Sequence, residues 1–341
     1  MAIKINGQEK RIGLALSGGG FRAAGFHLGV MAQLHRLGIL DKLDLISCVS
    51  GGSIAGGTLV VNWGNSAEAL HKLEQYLKTK SIAVASVIGG VLSPFESRLD
   101  KLACTYDRDL FLGSTLSALK NGPRVYFGST NLATGNLFFF VAGGGKDEEM
   151  GEHELGTVKA PDFLVSRAVA ASSAFPPVFP PLRLDPDVYP PAAPLGYVTL
   201  TDGGVYDNMG VNPLLRTDRN PLDYMIVCDG GKPFSIEERP TESGTIVLMA
   251  SLNIMMEQIR GLEFDRIEHR HYAKKGPKPL WFSIDSKIGE KQPGDASFAS
   301  SIDTNLKKLS EEEMVVLMRH GGALLTARVE QYAPELKTIG A

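Results

Sequence analysis

Three short segments carry side chains whose type and spacing could support covalent hydrolysis. The first is Gly51-Gly52-Ser53-Ile54-Ala55. A serine between an apolar strand and a helix, with glycines ahead of it, fits the tight strand-to-helix turn that presents a nucleophilic hydroxyl. Gly51 and Gly52 would relieve crowding in that turn, and the helix behind Ser53 would aim its positive end at developing negative charge. Ser53 is therefore the candidate nucleophile. Ala55 stands where the last glycine of a G-x-S-x-G pattern is usual, and the same residues also read as a loop with a helix N-cap. The second segment is Ser17-Gly18-Gly19-Gly20-Phe21-Arg22. Successive N–H groups in a glycine-rich turn at a helix start cradle an anion, either a phosphate or an oxyanion. The third is Asp202, in Leu200-Thr201-Asp202-Gly203-Gly204. A carboxylate at a strand's carboxyl end lies where open α/β sheets build their sites. An Asp-Gly turn is the plain alternative, and Asp229-Gly230-Gly231 repeats the pattern. The longer tail Tyr206-Asp207-Asn208-Met209-Gly210 favours Asp202.

The elements around these segments predict a parallel sheet. Residues 12–16 are a short apolar run that stops at the glycine loop, as a buried strand would. Ala24, Leu28, Met31 and Leu34 then recur at helical spacing, with Gly38 as a C-cap. A second apolar run over residues 43–49 leads into Ser50-Gly51-Gly52-Ser53 and a further helix. This βαβα order implies parallel strands covered by helices. Polar helices are expected over residues 67–80 and 99–119, and a hairpin over residues 124–131 and 136–141. A helix over residues 162–173 is ended by Phe175-Pro176-Pro177. The proline-rich residues 184–194 are expected to be a surface insertion. Residues 197–201 and 224–228 read as buried strands, and the chain turns helical after about Lys232.

Composition removes several function classes. Across 341 residues, 35 basic and 38 acidic side chains leave a net charge of −3, unlike the basic domain of a dedicated nucleic-acid binder. Hydrophobic residues make up 43% and charged residues 21%, a globular rather than a disordered balance. Cys48, Cys104 and Cys228 form no C-x-x-C pair, so neither a disulfide framework nor a zinc site is expected, and a reducing compartment fits. The start of the chain shows no secretory signal. The apolar run over residues 81–95 is shorter than the roughly 20 residues a membrane span needs. It reads as a buried helix or as an interfacial patch. The positive charges over residues 260–278 could meet anionic headgroups, although Glu263, Asp265 and Glu268 interrupt them.

Two rival chemistries use the same residues. Gly18, Gly20 and Ala23 nearly satisfy a dinucleotide fingerprint, but the second strand ends in Ser50-Gly51-Gly52-Ser53, where a ribose-binding acid is required. A Ser-Asp-His triad would take Asp202 followed by His269 or His320. No histidine lies in a glycine-flanked strand-end loop, and His269 and His271 read as a solvated helix face.

Taken together and in this order, the three segments resemble the patatin-like phospholipase family. Gly18-Gly19-Gly20-Phe21-Arg22 is similar to its oxyanion loop, with Ala23 where glycine is usual. Gly51 to Ala55 resembles its nucleophile turn, Asp202-Gly203-Gly204 its aspartate motif, and Ala170-Ala171-Ser172-Ser173-Ala174-Phe175-Pro176-Pro177 a recurring stretch between them. The resemblance covers residues 11–210. It implies a three-layer α/β/α sandwich around a mainly parallel sheet. It also implies a Ser53–Asp202 dyad without histidine, metal or cofactor, and an oxyanion hole at Gly18, Gly19 and Gly20, with Arg22 positioning the loop or meeting a lipid phosphate. The expected activity is hydrolysis of lipid acyl esters, chiefly of phospholipids, at a cytoplasmic location with transient membrane contact. A neutral lipase, an esterase, an acyltransferase and a nucleotide-binding module are the alternatives. Residues 10–235 are expected to form the hydrolase core, and residues 236–341 a mostly helical extension packed on it.

Overall fold

A computed structural model of the chain describes residues 3–5, 7–82, 96–234 and 243–339. Most of the apolar run over residues 81–95, and the expected boundary between core and extension at residues 235 and 236, lie outside them.

A small hairpin, β1 (Ile3–Ile5) and β2 (Gln8–Lys10), precedes the main sheet. Strand β3 (Ile12–Leu16) is buried throughout and feeds helix α1 (Gly20–Arg36). Strand β4 (Leu45–Val49) feeds helix α2 (Gly51–Val61) in the same way. Helices α3 (Ser66–Thr79) and α4 (Glu96–Tyr106) follow. Four strands come next: β5 (Arg124–Asn131), β6 (Leu137–Ala142), β7 (Glu149–Glu152) and β8 (Gly156–Lys159). After α5 (Val165–Ser172), β9 (Leu182–Leu184) and β10 (Val198–Asp202) come the short helices α6 (Gly204–Asp207) and α7 (Asn212–Leu215). The chain then runs through β11 (Tyr224–Asp229), the long helix α8 (Gly244–Tyr272), β12 (Lys278–Ser283), α9 (Asp295–Ser301) and α10 (Glu311–Tyr332).

The sheet is mixed around a parallel centre. Its path is β12-β11-β3-β4-β5-β6-β7-β8, with β10 paired to β5 and β9 to β10. From β12 to β5 all pairs are parallel, and these strands have helices on both faces. That burial explains why β3, β4 and β11 carry uninterrupted apolar runs instead of alternation. Residues after 243 are integral to this architecture, because β12 extends the sheet beside β11 and α10 packs along α1. The proline-rich loop is less superficial than its composition suggests, since Tyr189 and Ala192 are buried. Tyr189 stacks edge-on against Phe138 and donates its hydroxyl proton to the Gly156 carbonyl.

One register decides the site. Strand β10 is antiparallel to β5, not a further parallel strand, and places Asp202 opposite Ser129. Strand β4 runs along the same side of β5, with Val49 opposite Gly128, while β6 occupies the other side. The carboxyl ends of β4 and β10 therefore meet head to head. Ser50 and Asp202 are brought together by that meeting.

Candidate active site

Ser50 is the single residue between β4 and α2, with φ 51° and ψ −117°. This is a conformation that a side-chain-bearing residue adopts only at a cost of about 1–3 kcal/mol, and it is concentrated at functional turns. The turn is held by what surrounds it. A Cβ on Gly51 would stand 2.2 Å from the Gly20 carbonyl oxygen, and one on Gly52 2.1 Å from that of Leu16. Only glycines let the turn pack so tightly against the glycine-rich loop. Ser50 itself is half-buried and stands at the positive end of α2.

Asp202 is buried. Its Oδ1 accepts the Gly204 N–H at 2.7 Å, and among the described residues its Oδ2 has no hydrogen-bond partner. Burial pushes its carboxyl up to about 7, against smaller lowering effects from the Gly204 N–H and the Ser50 hydroxyl. The Ser50 side chain is thus near enough to act on the carboxylate without completing a well-aligned hydrogen bond. Thr130 Oγ1 donates to the Asp202 carbonyl, and the Asp202 N–H donates to that of Ala174.

Ser53 is placed differently. It lies inside α2, fully buried, with its Oγ 2.8 Å from Ser172 Oγ. The same Ser172 oxygen accepts the Ser50 N–H at 3.0 Å, and the Ser172 carbonyl accepts the Gly203 N–H at 3.3 Å. The end of α5 therefore clamps the serine turn to the Asp202 loop, and Ser53 belongs to that clamp. The structure brings Asp202 to Ser50, not to Ser53. The two serines were hard to separate by pattern. Ser53 has the glycine expected two positions before it, whereas Ser50 has the glycine expected two positions after it, at Gly52. The signal that discriminates is distance from the strand: Ser50 follows Val49 directly.

The glycine-rich loop faces this turn. The Gly18 N–H is already given to the Asn208 carbonyl at 3.0 Å, so Gly18 offers no free donor. Among the described residues, the N–H groups of Gly19, Gly20 and Gly51 have no acceptor. Arg22 does not reach outward. It is buried, and its guanidinium donates to the carbonyls of Gly230 and Ile302 and to Thr304 Oγ1. Desolvation lowers its pKa to about 10, opposed by Asp229 and Asp303. Arg22 ties the loop to the rest of the fold, and its burial keeps the guanidinium from meeting a lipid phosphate.

Two contributors were not singled out from the sequence, although Asn208 lies in the tail that favoured Asp202. Asn208 follows the Asp202 loop, and a Cβ on Gly18 or Gly204 would stand 2.4 or 2.6 Å from its Oδ1, so its carboxamide fills the space between the two loops. The Asn305 carbonyl, from a segment without a motif, accepts the Phe21 N–H at 2.9 Å. Among the described residues, no histidine side chain bonds Ser50, Ser53 or Asp202. His27 donates from Nε2 to the Ser17 carbonyl and His320 to that of Ile284. Burial lowers the pKa of His27 to about 4.

A family model described as Patatin-like phospholipase matches residues 14–215, a stretch that contains the glycine loop, both serines and Asp202. The chain belongs to the patatin-like phospholipase family. That membership supports a lipid ester hydrolase in general terms. Among solved structures, human GIVD cytosolic phospholipase A2 is similar with a TM-score of 0.63 at 13% identity, covering 97% of this chain and 60% of that one. The same human protein in complex with methyl gamma-linolenyl fluorophosphonate and terbium chloride gives a TM-score of 0.58 at 14% identity, covering 97% and 59%. These likenesses show the fold, and the chain spans about 60% of the length of those structures. No curated protein matches significantly.

Proposed function

We propose that the chain hydrolyses acyl esters of phospholipids with Ser50 as nucleophile and Asp202 as its general base. The observation that carries this reading is a serine in a strained, half-exposed strand-to-helix turn beside a buried carboxylate with one unpartnered oxygen. The substrate class is supported by the family and by the phospholipases that share the fold. Asp202 takes the Ser50 hydroxyl proton while Oγ attacks the ester carbonyl carbon. The resulting oxyanion is met by the N–H groups of Gly19, Gly20 and Gly51, each such donor being worth about 3 kcal/mol in comparable sites. Collapse breaks the ester C–O bond, and the departing alcohol takes the proton from Asp202. Water then attacks the acyl-enzyme with Asp202 again as base, releasing the fatty acid and restoring Ser50. A carboxyl near 7 suits this role, because a base works best when its pKa is close to the working pH. Ser53 and Ser172 hold the turn and take no part in bond making.

A fluorophosphonate tests the assignment, and such a compound is the inhibitor in the human structure. The expected result is one covalent adduct, located on Ser50 by peptide mass spectrometry, together with fatty-acid release from phosphatidylcholine exceeding that from triacylglycerol. An adduct on Ser53 would overturn the nucleophile, and preferential triacylglycerol turnover would overturn the substrate class.

A further inference from the structure

Strand β11 has six residues and so rises about 20 Å. The helix that returns the chain to its parallel neighbour β12 has 29 residues, about 43 Å of helix. Two contacts show where the excess lies. Arg260 Nε donates to Asp229 Oδ2 over 2.5 Å at the carboxyl end of β11. Arg270 Nη1 donates to the Leu215 carbonyl, next to Leu214, which packs on Gly13 at the start of β3. Residues 260–272 therefore match the strand, and residues 244–259 run about 24 Å past it. They project from the sheet edge that carries Ser50 and Asp202.

The composition of this projecting half differs from that of a solvated helix. No charged residue occurs between Gly244 and Met256, and no side chain over residues 246–259 is buried. Ile246, Leu248, Ile254 and Met255 are 56, 69, 48 and 60% exposed. At 100° per residue these positions spread around about half of the circumference or more, instead of forming one stripe. Contiguous exposed apolar surface of this kind marks an interaction site. A partner helix would cover a single seam of it, whereas lipid chains and headgroups contact every face of a segment that enters them. Positive charge lies on the same edge. Lys307 and Lys308 are exposed and form no ion pair among the described residues, and their loop is seated on the glycine-rich turn through Asn305.

We propose that residues 244–259 of α8 enter the surface layer of an anionic membrane, with Lys307 and Lys308 among its headgroups. This docking rests on the phospholipid reading for its purpose, since it holds the mouth of the site against lipid. The arginines of α8 do not contribute, because Arg260, Arg266 and Arg270 are each engaged by the core.

Flotation with vesicles of phosphatidylcholine, with and without phosphatidylserine, tests the proposal. The full chain is expected to float with the anionic vesicles. Leu248→Asp/Met255→Asp should reduce that binding by about tenfold or more, and Lys307→Glu/Lys308→Glu should remove the preference for phosphatidylserine. Both double variants alter exposed positions, so turnover of a water-soluble short-chain ester should persist. Absence of flotation by the wild type would overturn the docking, as would unchanged flotation of the aspartate variant. Sedimentation showing a dimer that this variant dissociates, with flotation unchanged, would assign the helix to self-association instead. Flotation without any ester turnover would keep the docking and overturn the proposed hydrolase, and turnover without flotation would do the reverse.

Discussion

The molecule contains the same local construction twice, and the two copies face opposite partners. Asp202-Gly203-Gly204 and Asp229-Gly230-Gly231 each end a buried strand, and each aspartate accepts the N–H two residues on through Oδ1, at 2.7 and 3.0 Å. Both carboxylates are buried. They differ at Oδ2. That of Asp229 is taken by Arg260 Nε, within a cluster that also holds Glu257 and Asp285. That of Asp202 has no hydrogen-bond partner among the described residues and lies near the Ser50 hydroxyl. The Oδ2 of Asp229 is occupied by a guanidinium, whereas burial without such a partner holds Asp202 ready to take a proton. The turn builds an aspartate at a strand end, and the partner of its second oxygen decides whether it crosslinks or reacts.

The sharpest way to separate the two copies is to remove each charge in turn. Ser50→Ala and Asp202→Asn should each lower kcat by about ten-thousand-fold, measured as fatty-acid release, with circular dichroism unchanged. Asp229→Asn should leave kcat within about threefold, because Asp229 is spent on Arg260. If Asp229→Asn abolished turnover while Asp202→Asn did not, the functional assignment of the copies would be reversed.

A pH series reads the same contrast. Because the base must be ionised, kcat/KM should rise with unit slope up to about pH 7, the value to which burial pushes Asp202, and then level off. Stability should move the other way. Its raised pKa means that folding favours the protonated carboxyl, so this contribution is full below about pH 4 and is lost as pH rises through about 7. Asp202→Asn should therefore be more stable than wild type at pH 8, by on the order of 2–4 kcal/mol, with the difference vanishing near pH 4. Glu263, buried beside Asp207 and pushed up to about 11, adds its own dependence. The difference between wild type and Asp202→Asn isolates the Asp202 contribution.

At the other copy the expected cost is thermodynamic. Asp229→Asn removes a buried partner from Arg260, whose side chain is 20% exposed and keeps Glu257 at 3.1 Å. Urea unfolding should show a loss of about 2–3 kcal/mol, below the range for a fully isolated buried charge. An unchanged midpoint would mean that the pair contributes only its geometry.

These contrasts also explain what could be read from the sequence. Strands β3, β4 and β11, the glycine loop and Asp202 were legible because each is a local pattern: an apolar run, a break and a turn residue. Asp229 matched the same local pattern without the Tyr206–Gly210 tail, and the contact that fixes its different role, with Arg260, lies 31 residues away. The antiparallel entry of β10 was not legible either, since an apolar run does not state which neighbour it will pair with. Arg22 was located but its direction was not, because the carbonyls that consume it belong to Gly230 and Ile302. The serine turn shows the limit at its finest. Both serines lie beside the same two glycines, and a displacement of three residues separates the strained turn from the buried interior of α2.

That displacement gives the smallest predicted effect. Ser53→Ala removes one hydroxyl bonded to Ser172 Oγ and leaves Ser50, Asp202 and the free N–H groups in place. Ser172 keeps the Ser50 N–H as a donor, so neither hydroxyl network nor turn is lost outright. A buried hydrogen bond of this kind contributes about 0.5–1.5 kcal/mol, and the remaining cavity is the size of one oxygen. The variant should therefore unfold at slightly lower urea, lose no more than about tenfold in kcat, and retain the fluorophosphonate adduct on Ser50. Ser172→Ala should cost more than Ser53→Ala, because it withdraws the acceptor of the Ser50 N–H as well as the partner of Ser53. A loss at Ser53→Ala as large as that at Ser50→Ala would mean that the interior hydroxyl is part of the chemistry after all. The contrast between a reacting serine and a bracing one would then collapse.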